Sequence, residues 1–238
     1  MLSADDLFVK GRRRALLPPT SLHAPAGGIL LVQGNDRHTR TALALTLSGR
    51  MRPSSGSVAW AGSGRLENLR RHSALIDSPE VNEPEQHFRV HDLVAEDLAL
   101  IPRRSRPTLD ASRWLAAEGL RELSGRWIEE LEPAVRLDLL IRLALADTAV
   151  ELLVFDSPDR HLAAPQAWLP LLEACVASPA RQVTAVAAVA QIPPDWAGLS
   201  ARAGMDSHTG TGTDAAVGTE TGAAADTGSA AGVREVSA

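Results

Sequence analysis

Apolar residues fall along the chain in short blocks, and the spacing within the blocks alternates between two periods. Ile29–Gln33 is an almost continuous apolar run ahead of a glycine, and it predicts a buried strand. Thr41–Arg50 places its leucines and alanines on one helical face and meets Gly49 near its end, a residue suited to a helix C-terminus. Val58–Ala61 and a segment ending at Leu75-Ile76 predict two further strands. Arg89–Leu100 and Leu115–Leu123 have helical spacing, and Leu137–Ala146 reads as a strongly apolar helix. Glu151–Phe155 predicts another buried strand, Pro165–Val176 a helix, and the Val/Ala-rich Gln182–Val189 a further strand. Strands alternating with helices predict an α/β fold with a mainly parallel sheet.

From Ala201 the pattern stops. The residues that follow are mostly Thr, Gly, Ala and Asp, with almost no large apolar group to offset the entropy of ordering them. The expected organisation is therefore one folded domain over 1–200 and a disordered low-complexity tail over 201–238. The Thr-Gly pairs of that tail are not a phosphate loop, because no strand precedes them and no helix follows.

Composition narrows the function classes. The 238 residues are 45% hydrophobic and 22% charged, as in an ordinary globular protein, with a net charge of −5. That balance argues against nucleic acid as a partner. Arg12-Arg13-Arg14 is short enough to be a solvated turn. The lone cysteine, Cys175, sits in an apolar run and predicts packing, and a single thiol fits a reducing compartment. The first residues lack the apolar core of a secretion signal, and no apolar stretch is long enough to span a bilayer. His72, His87, His91 and His161 share no metal-ligand spacing, and Trp114, Trp127, Trp168 and Trp196 are most simply packing residues.

The candidate chemistry lies after the first buried strand. A strand, then Gly34, a loop and a helix is the layout of a phosphate-binding loop, where backbone N–H groups and a helix N-terminus face an anion. The segment comprises Gly34, Asn35, Asp36, Arg37, His38, Thr39, Arg40, Thr41 and Ala42. Against G-x-x-x-x-G-K-[ST], Gly34 fits the first position and Thr41 the last. Thr39 stands where the second glycine belongs and Arg40 where the lysine belongs. The only lysine of the chain is Lys10, so nothing nearby replaces it. Asp36 brings a negative charge that opposes phosphate.

The flanking sequence resembles the ATP-binding cassette of ABC transporters. Gly49, Pro53, Ser55, Gly56, Val58 and Gly62 match the stretch that follows the phosphate-loop helix in that family. Val90–Leu100 resembles the start of its helical subdomain, and Ala144–Leu162 its Walker B strand and the loop beyond, with Leu152–Phe155 leading into Asp156. The spacing from Gly34 to Asp156 also agrees, and the likeness covers roughly residues 5–195. The resemblance implies a P-loop NTPase-like fold, with a mainly parallel sheet, flanking helices and a small helical subdomain over roughly 80–140. It implies ATP and Mg²⁺ as cofactors, with Thr41 and Asp156 as metal ligands. Asp156 also reads as a strand-end carboxylate capping the next turn. The implied partners are a membrane permease subunit and a second cassette, in a homo- or heterodimer, and the implied place is cytoplasmic, peripheral at the inner face of the cell membrane.

Several motif positions depart from the family. Ser157 stands where the general base is a glutamate, and a serine does not take a proton from attacking water at neutral pH. The signature segment falls at Leu131–Val135, where Glu132 replaces the serine and Pro133 removes an N–H donor. The Q-loop glutamine falls near Asp77 and the switch histidine near Ala190 or Gln191. These departures imply a subunit with weak ATP binding and little or no hydrolysis, docked on a permease. One alternative is a nucleotide-free scaffold that binds other proteins. Another is an unorthodox NTPase using Arg40 with Asp159 or Glu151 as base.

Overall fold

Consecutive residues of the central strands point into two different apolar cores. The computed structural model describes residues 1–205 apart from residue 163. The strands β1 (Leu2–Val9), β2 (Leu17–Ala24), β3 (Ile29–Gln33), β4 (Ser55–Trp60), β5 (Ser73–Ile76), β6 (Leu152–Asp156), β7 (Thr184–Val189) and β8 (Leu199–Arg202) form two sheets. The larger is five-stranded, in the order β5-β6-β7-β3-β8, and every pairing in it is parallel. Leu30 and Val32 of β3, Leu152 and Val154 of β6, and Val186 and Ala188 of β7 join one core. Leu31, Leu153, Phe155, Ala185 and Ala187 join the other. A sheet buried on both faces needs apolar residues at successive positions, which is why these strands read as unbroken hydrophobic runs.

The first core is closed by helix α1 (Arg37–Leu47) and by an antiparallel sheet in the order β2-β1-β4. The second is closed by α3 (Val90–Leu100), α4 (Ala111–Ala117), α5 (Pro133–Ala146) and α6 (Leu169–Ala177). Helix α2 (Leu66–His72) buries Leu69 in the first core. The helices between β5 and β6 share one apolar cluster with the sheet, through residues such as Trp114, Leu115 and Ile128. The architecture is therefore α/β with a parallel sheet, as the alternation predicted, and P-loop NTPase-like, as the resemblance implied.

Several boundaries differ from the sequence reading. Helix α1 begins at Arg37, not Thr41, because Asp36 caps it. It ends with Gly49 at φ +71°, whose N–H donates to Thr46 O at 3.0 Å, while the Arg50 N–H reaches Leu45 O at 2.7 Å. Both bonds satisfy carbonyls that a helix end leaves free. The helix expected over Leu115–Leu123 is α4 followed, after Gly119 at φ +74°, by a 3₁₀ turn at Arg121–Leu123. The helix expected over Pro165–Val176 is a 3₁₀ turn at Pro165–Ala167 and then α6, whose Pro170 lacks the N–H that a continuous helix would need.

The strands β1, β2 and β8 escaped the sequence reading. Pro18 and Pro19 disguise β2, yet it is an edge strand, the one place where prolines fit a sheet. The domain also runs past residue 200: Ala201 and Arg202 belong to β8, paired with Val32 and Gln33. The compositional boundary fell too early, because a four-residue edge strand gives little hydrophobic signal. The remainder of the expected tail, residues 206–238, lies outside the described residues.

Candidate functional site

The loop between β3 and α1 is only Gly34, Asn35 and Asp36, because the residues expected to wrap an anion have joined the helix. Asp36 has extended backbone angles and is the N-cap of α1. Its Oδ1 accepts the Thr39 N–H at 2.9 Å, and its Oδ2 accepts the Thr39 hydroxyl at 3.1 Å. The Thr39 amide holds the Asp36 carboxyl below the usual carboxylate range against the opposing effect of burial, with help from the Thr39 hydroxyl and the Arg14 guanidinium. Arg14 stands 3.8 Å away, so the triple-arginine segment contributes one residue to this site. The protein's own carboxylate thus occupies the helix N-terminus, where the macrodipole favours an anion.

Two backbone donors here have partners within the chain. The Gly34 N–H donates to Val189 O at 2.9 Å and the Arg40 N–H to Asp36 O at 3.2 Å. Thr39 takes up ordinary helical geometry, so no positive φ is asked of a β-branched residue in the second-glycine position. Asn35, Arg37 and His38 are exposed, the latter two at the start of α1, and Ala42 is buried in the first core. Thr41 is half-buried on α1.

Arg40 folds back over the loop. A Cβ on Gly34 would come within 2.7 Å of Arg40 Cγ, so only glycine leaves room for that stem. The guanidinium donates from Nη1 to Gly34 O at 3.0 Å and from Nε to Ser157 Oγ at 2.8 Å. Ser157 in turn donates to Asp156 Oδ1 at 3.1 Å, and Ser78 donates to Asp156 Oδ2 at 2.8 Å. Asp156 is 1% exposed, at the end of β6. The predicted residues Gly34, Arg40 and Asp156 are therefore brought together in one hydrogen-bonded chain. Ser78 completes it, and the sequence reading did not find this residue because nothing local marks it.

A second polar cluster lies alongside. Asp77, at φ +51°, faces Arg160 at 3.1 Å and Arg136 at 3.4 Å. Arg160 also meets Glu83 at 3.2 Å. Burial raises the Asp77 carboxyl above its ordinary value despite both guanidinium groups. Burial, reinforced by Arg136 and Arg160, lowers the His161 imidazole. Asp77 Oδ1 and Arg160 Nη1 are buried without a hydrogen-bond partner.

The other sequence candidates are placed as follows. Glu132 is the exposed N-cap residue of α5 with no side-chain cap bond, and Pro133 is the first helical residue. Glu151 precedes β6 and accepts the Trp60 Nε1–H at 3.3 Å, at the opposite end of that strand from Asp156. Asp159 accepts the Ala190 N–H at 2.8 Å. Neither acid joins the Arg40 chain. Trp114 and Trp168 are buried as expected, whereas Trp127 stacks on the Arg89 guanidinium at 4.2 Å. Among the described residues no group of three or more His, Cys, Asp or Glu side chains could hold a metal, and no helix is long and apolar enough to cross a membrane.

The residues present do not fit a bound nucleoside triphosphate in this arrangement. The anion position at α1 is taken by Asp36, and Arg40, in the lysine position, is turned onto Gly34 and Ser157. Mg²⁺ in phosphate-transfer sites relies on substrate oxygens to complete its shell, and Asp156 offers a single carboxylate with both oxygens already accepting hydroxyl protons.

The fold is that of the ATP-binding cassettes of ABC transporters. A nucleotide-free cassette from an ABC transporter superimposes with a TM-score of 0.59 at 15% identity, covering 79% of this chain and 81% of that one. The cbiO1 protein of Clostridium perfringens, part of the ABC transporter complex cbiONQ, gives 0.61 at 15% identity, over 80% of this chain and 78% of the other. A dimeric cassette in a post-hydrolysis state, bound to ADP and phosphate, gives 0.59 at 14% identity, over 79% and 88%. The sequence matches no family model and no curated protein.

Proposed function

We propose that this chain is a cassette-type subunit of a membrane transport assembly whose phosphate loop is closed by its own side chains. It binds ATP weakly, does not hydrolyse it, and acts by docking on a permease subunit and on a second cassette at the cytoplasmic face of the membrane. The observation that carries this reading is the Asp36 carboxylate seated on the α1 N-terminus, with Arg40 turned away onto Ser157. An incoming phosphate would have to displace a bonded carboxylate of its own charge. Ser157 in place of a general base supports the absence of turnover. The likeness to cbiO1, a part of a transporter complex, and to a dimeric cassette supports the choice of partners.

The test is a titration of the purified chain with a fluorescent ATP analogue, with and without Mg²⁺, beside Asp36→Asn and Arg40→Ala. The native chain should show a Kd above about 1 mM. Asp36→Asn keeps an oxygen to cap α1 but removes the charge, and it should bind more tightly. Tight native binding that is lost in Arg40→Ala would show that the loop opens to hold phosphate, and would overturn the closed-loop reading.

A further inference from the structure

Asp138, Ile141, Arg142 and Leu145 recur along α5 at the spacing of one helical face, and Leu171, Ala174, Cys175 and Ser178 repeat that spacing along α6. The two faces line a cleft of about 370 Å³, within the size range of small-molecule sites. Ala174, Cys175 and Ala180 are small, so the facing side chains do not fill the space between them. Ile141, Cys175 and Val183 are buried and form the floor, whereas Ser178 and Ala180 are exposed at the mouth.

The two arginines of the cleft differ in how their charge is met. Arg142 is held by Asp138 at 2.8 Å and by Glu118 at 3.1 Å. Half-buried Arg181 donates from Nη1 to Asp147 O at 3.0 Å and from Nη2 to Leu145 O at 3.1 Å, at the C-terminal end of α5. A helix end carries only about half an elementary negative charge. No carboxylate lies within ion-pair distance of Arg181 among the described residues. Burial lowers this guanidinium against the pull of the more distant Asp147 and Glu151. The cleft thus sets one under-compensated positive charge beside an apolar wall.

We propose that this cleft binds a medium-chain monocarboxylic acid, with its carboxylate on Arg181 and its chain against Leu145, Leu171 and Val183. A guanidinium with N–H groups to spare suits a carboxylate. The chain covers walls that a free inorganic anion would leave wet, and a neutral lipid would leave Arg181 as it is. A phosphate monoester would bring more charge than one guanidinium balances. The cleft shares no residue with the phosphate loop or with the polar clusters, so the inference is independent of nucleotide binding.

Cys175 supplies a readout confined to this site. It is the only cysteine of the chain, and burial, with Asp138 nearby, pushes its thiol up to about 11, so its alkylation is slow and easily timed. The full chain is titrated with decanoate, followed by the melting temperature and by the rate at which iodoacetamide alkylates Cys175, read by mass spectrometry. Acetate and decanol supply the acid and the chain separately. Decanoate should bind saturably with a Kd below about 1 mM and slow the alkylation, and acetate and decanol should each bind at least about tenfold more weakly. Arg181→Gln should weaken decanoate about tenfold and leave decanol unchanged, and Arg181→Lys should recover part of the loss. Ala174 is exposed, so Ala174→Trp should fold, fill the cleft and abolish protection by decanoate, with circular dichroism as the check on folding. The proposal is overturned if decanoate does not bind saturably, or if decanol protects Cys175 equally well. It is equally overturned if Arg181→Gln binds decanoate as the native chain does, or if binding survives in Ala174→Trp.

Discussion

Arg40 Nε donates to Ser157 Oγ across 2.8 Å, joining the residue in the phosphate-loop lysine position to the residue in the general-base position. Neither side chain is the one that the family resemblance implies at its position, and the two make a direct contact. Ser157 sits at φ +58° and ψ +58°, a left-handed conformation that costs an ordinary side chain about 1 kcal/mol.

It follows that restoring the acid alone will not restore turnover. In Ser157→Glu the new carboxylate should pair with Arg40, leaving it a poor base. Phosphate release with ATP and Mg²⁺ should stay at background, while the melting temperature changes little. Measurable turnover in this single variant would show that the loop opens readily.

Asp36 should matter to stability as well as to anions. Asp36→Ala loses the α1 cap and should lower stability by about 0.5–2 kcal/mol, measured by urea unfolding. Asp36→Asn should lose only part of this. Because its carboxyl is lowered in the folded state, the native contribution is present above the ordinary carboxylate pKa. It fades as pH falls through the folded value, so the difference from Asp36→Ala should narrow in acid.

Asp77 sits between two guanidinium groups in a poorly solvated place, with its side chain 10% exposed. Removing one cation should leave that charge under-compensated. Arg160→Met should therefore cost about 3 kcal/mol near neutral pH. The loss should shrink as pH falls and Asp77 takes up a proton, a difference readable from denaturant curves at two pH values.

Asp97 gives the opposite sign from Asp36. Burial, with Glu96 beside it, pushes its carboxyl up to about 6. The folded state then holds the proton more tightly than the unfolded chain. Stability is full at pH below the unfolded value and falls as pH rises through about 6. Asp97→Asn should be more stable than the native chain by about 1–3 kcal/mol at slightly alkaline pH, and the gain should vanish in acid.

The sheet was legible wherever a strand is buried on both faces. Ile29–Gln33 and Leu152–Phe155 are unbroken apolar runs, and both are central strands. Strands β1 and β2 were hidden because half of each side-chain row faces solvent and because β2 begins Leu-Pro-Pro. In the candidate site the sequence singled out Gly34, Arg40 and Asp156, which the fold joins by hydrogen bonds, but not their arrangement. Asp36 was recognised as an unfavourable charge. Its second meaning, an aspartate three residues ahead of an amide it can cap, also lay in the sequence. Ser78, Arg136 and Arg160 had no local signal, since their partners lie far away along the chain and only the parallel sheet brings them near.

Strand β8 decides what a shortened chain would do. It covers the outer edge of β3, and the Ala203 N–H still reaches Gln33 O at 2.9 Å, one residue before the loop glycine. Cutting the chain at residue 200 would remove half of that strand, with the partners of Val32 and Gln33, and leave the mostly apolar β3 poorly covered. Such an edge recruits other strands, so the trimmed protein should be lost to self-association before its loop can be assayed, whereas a chain ending after Met205 keeps the edge closed.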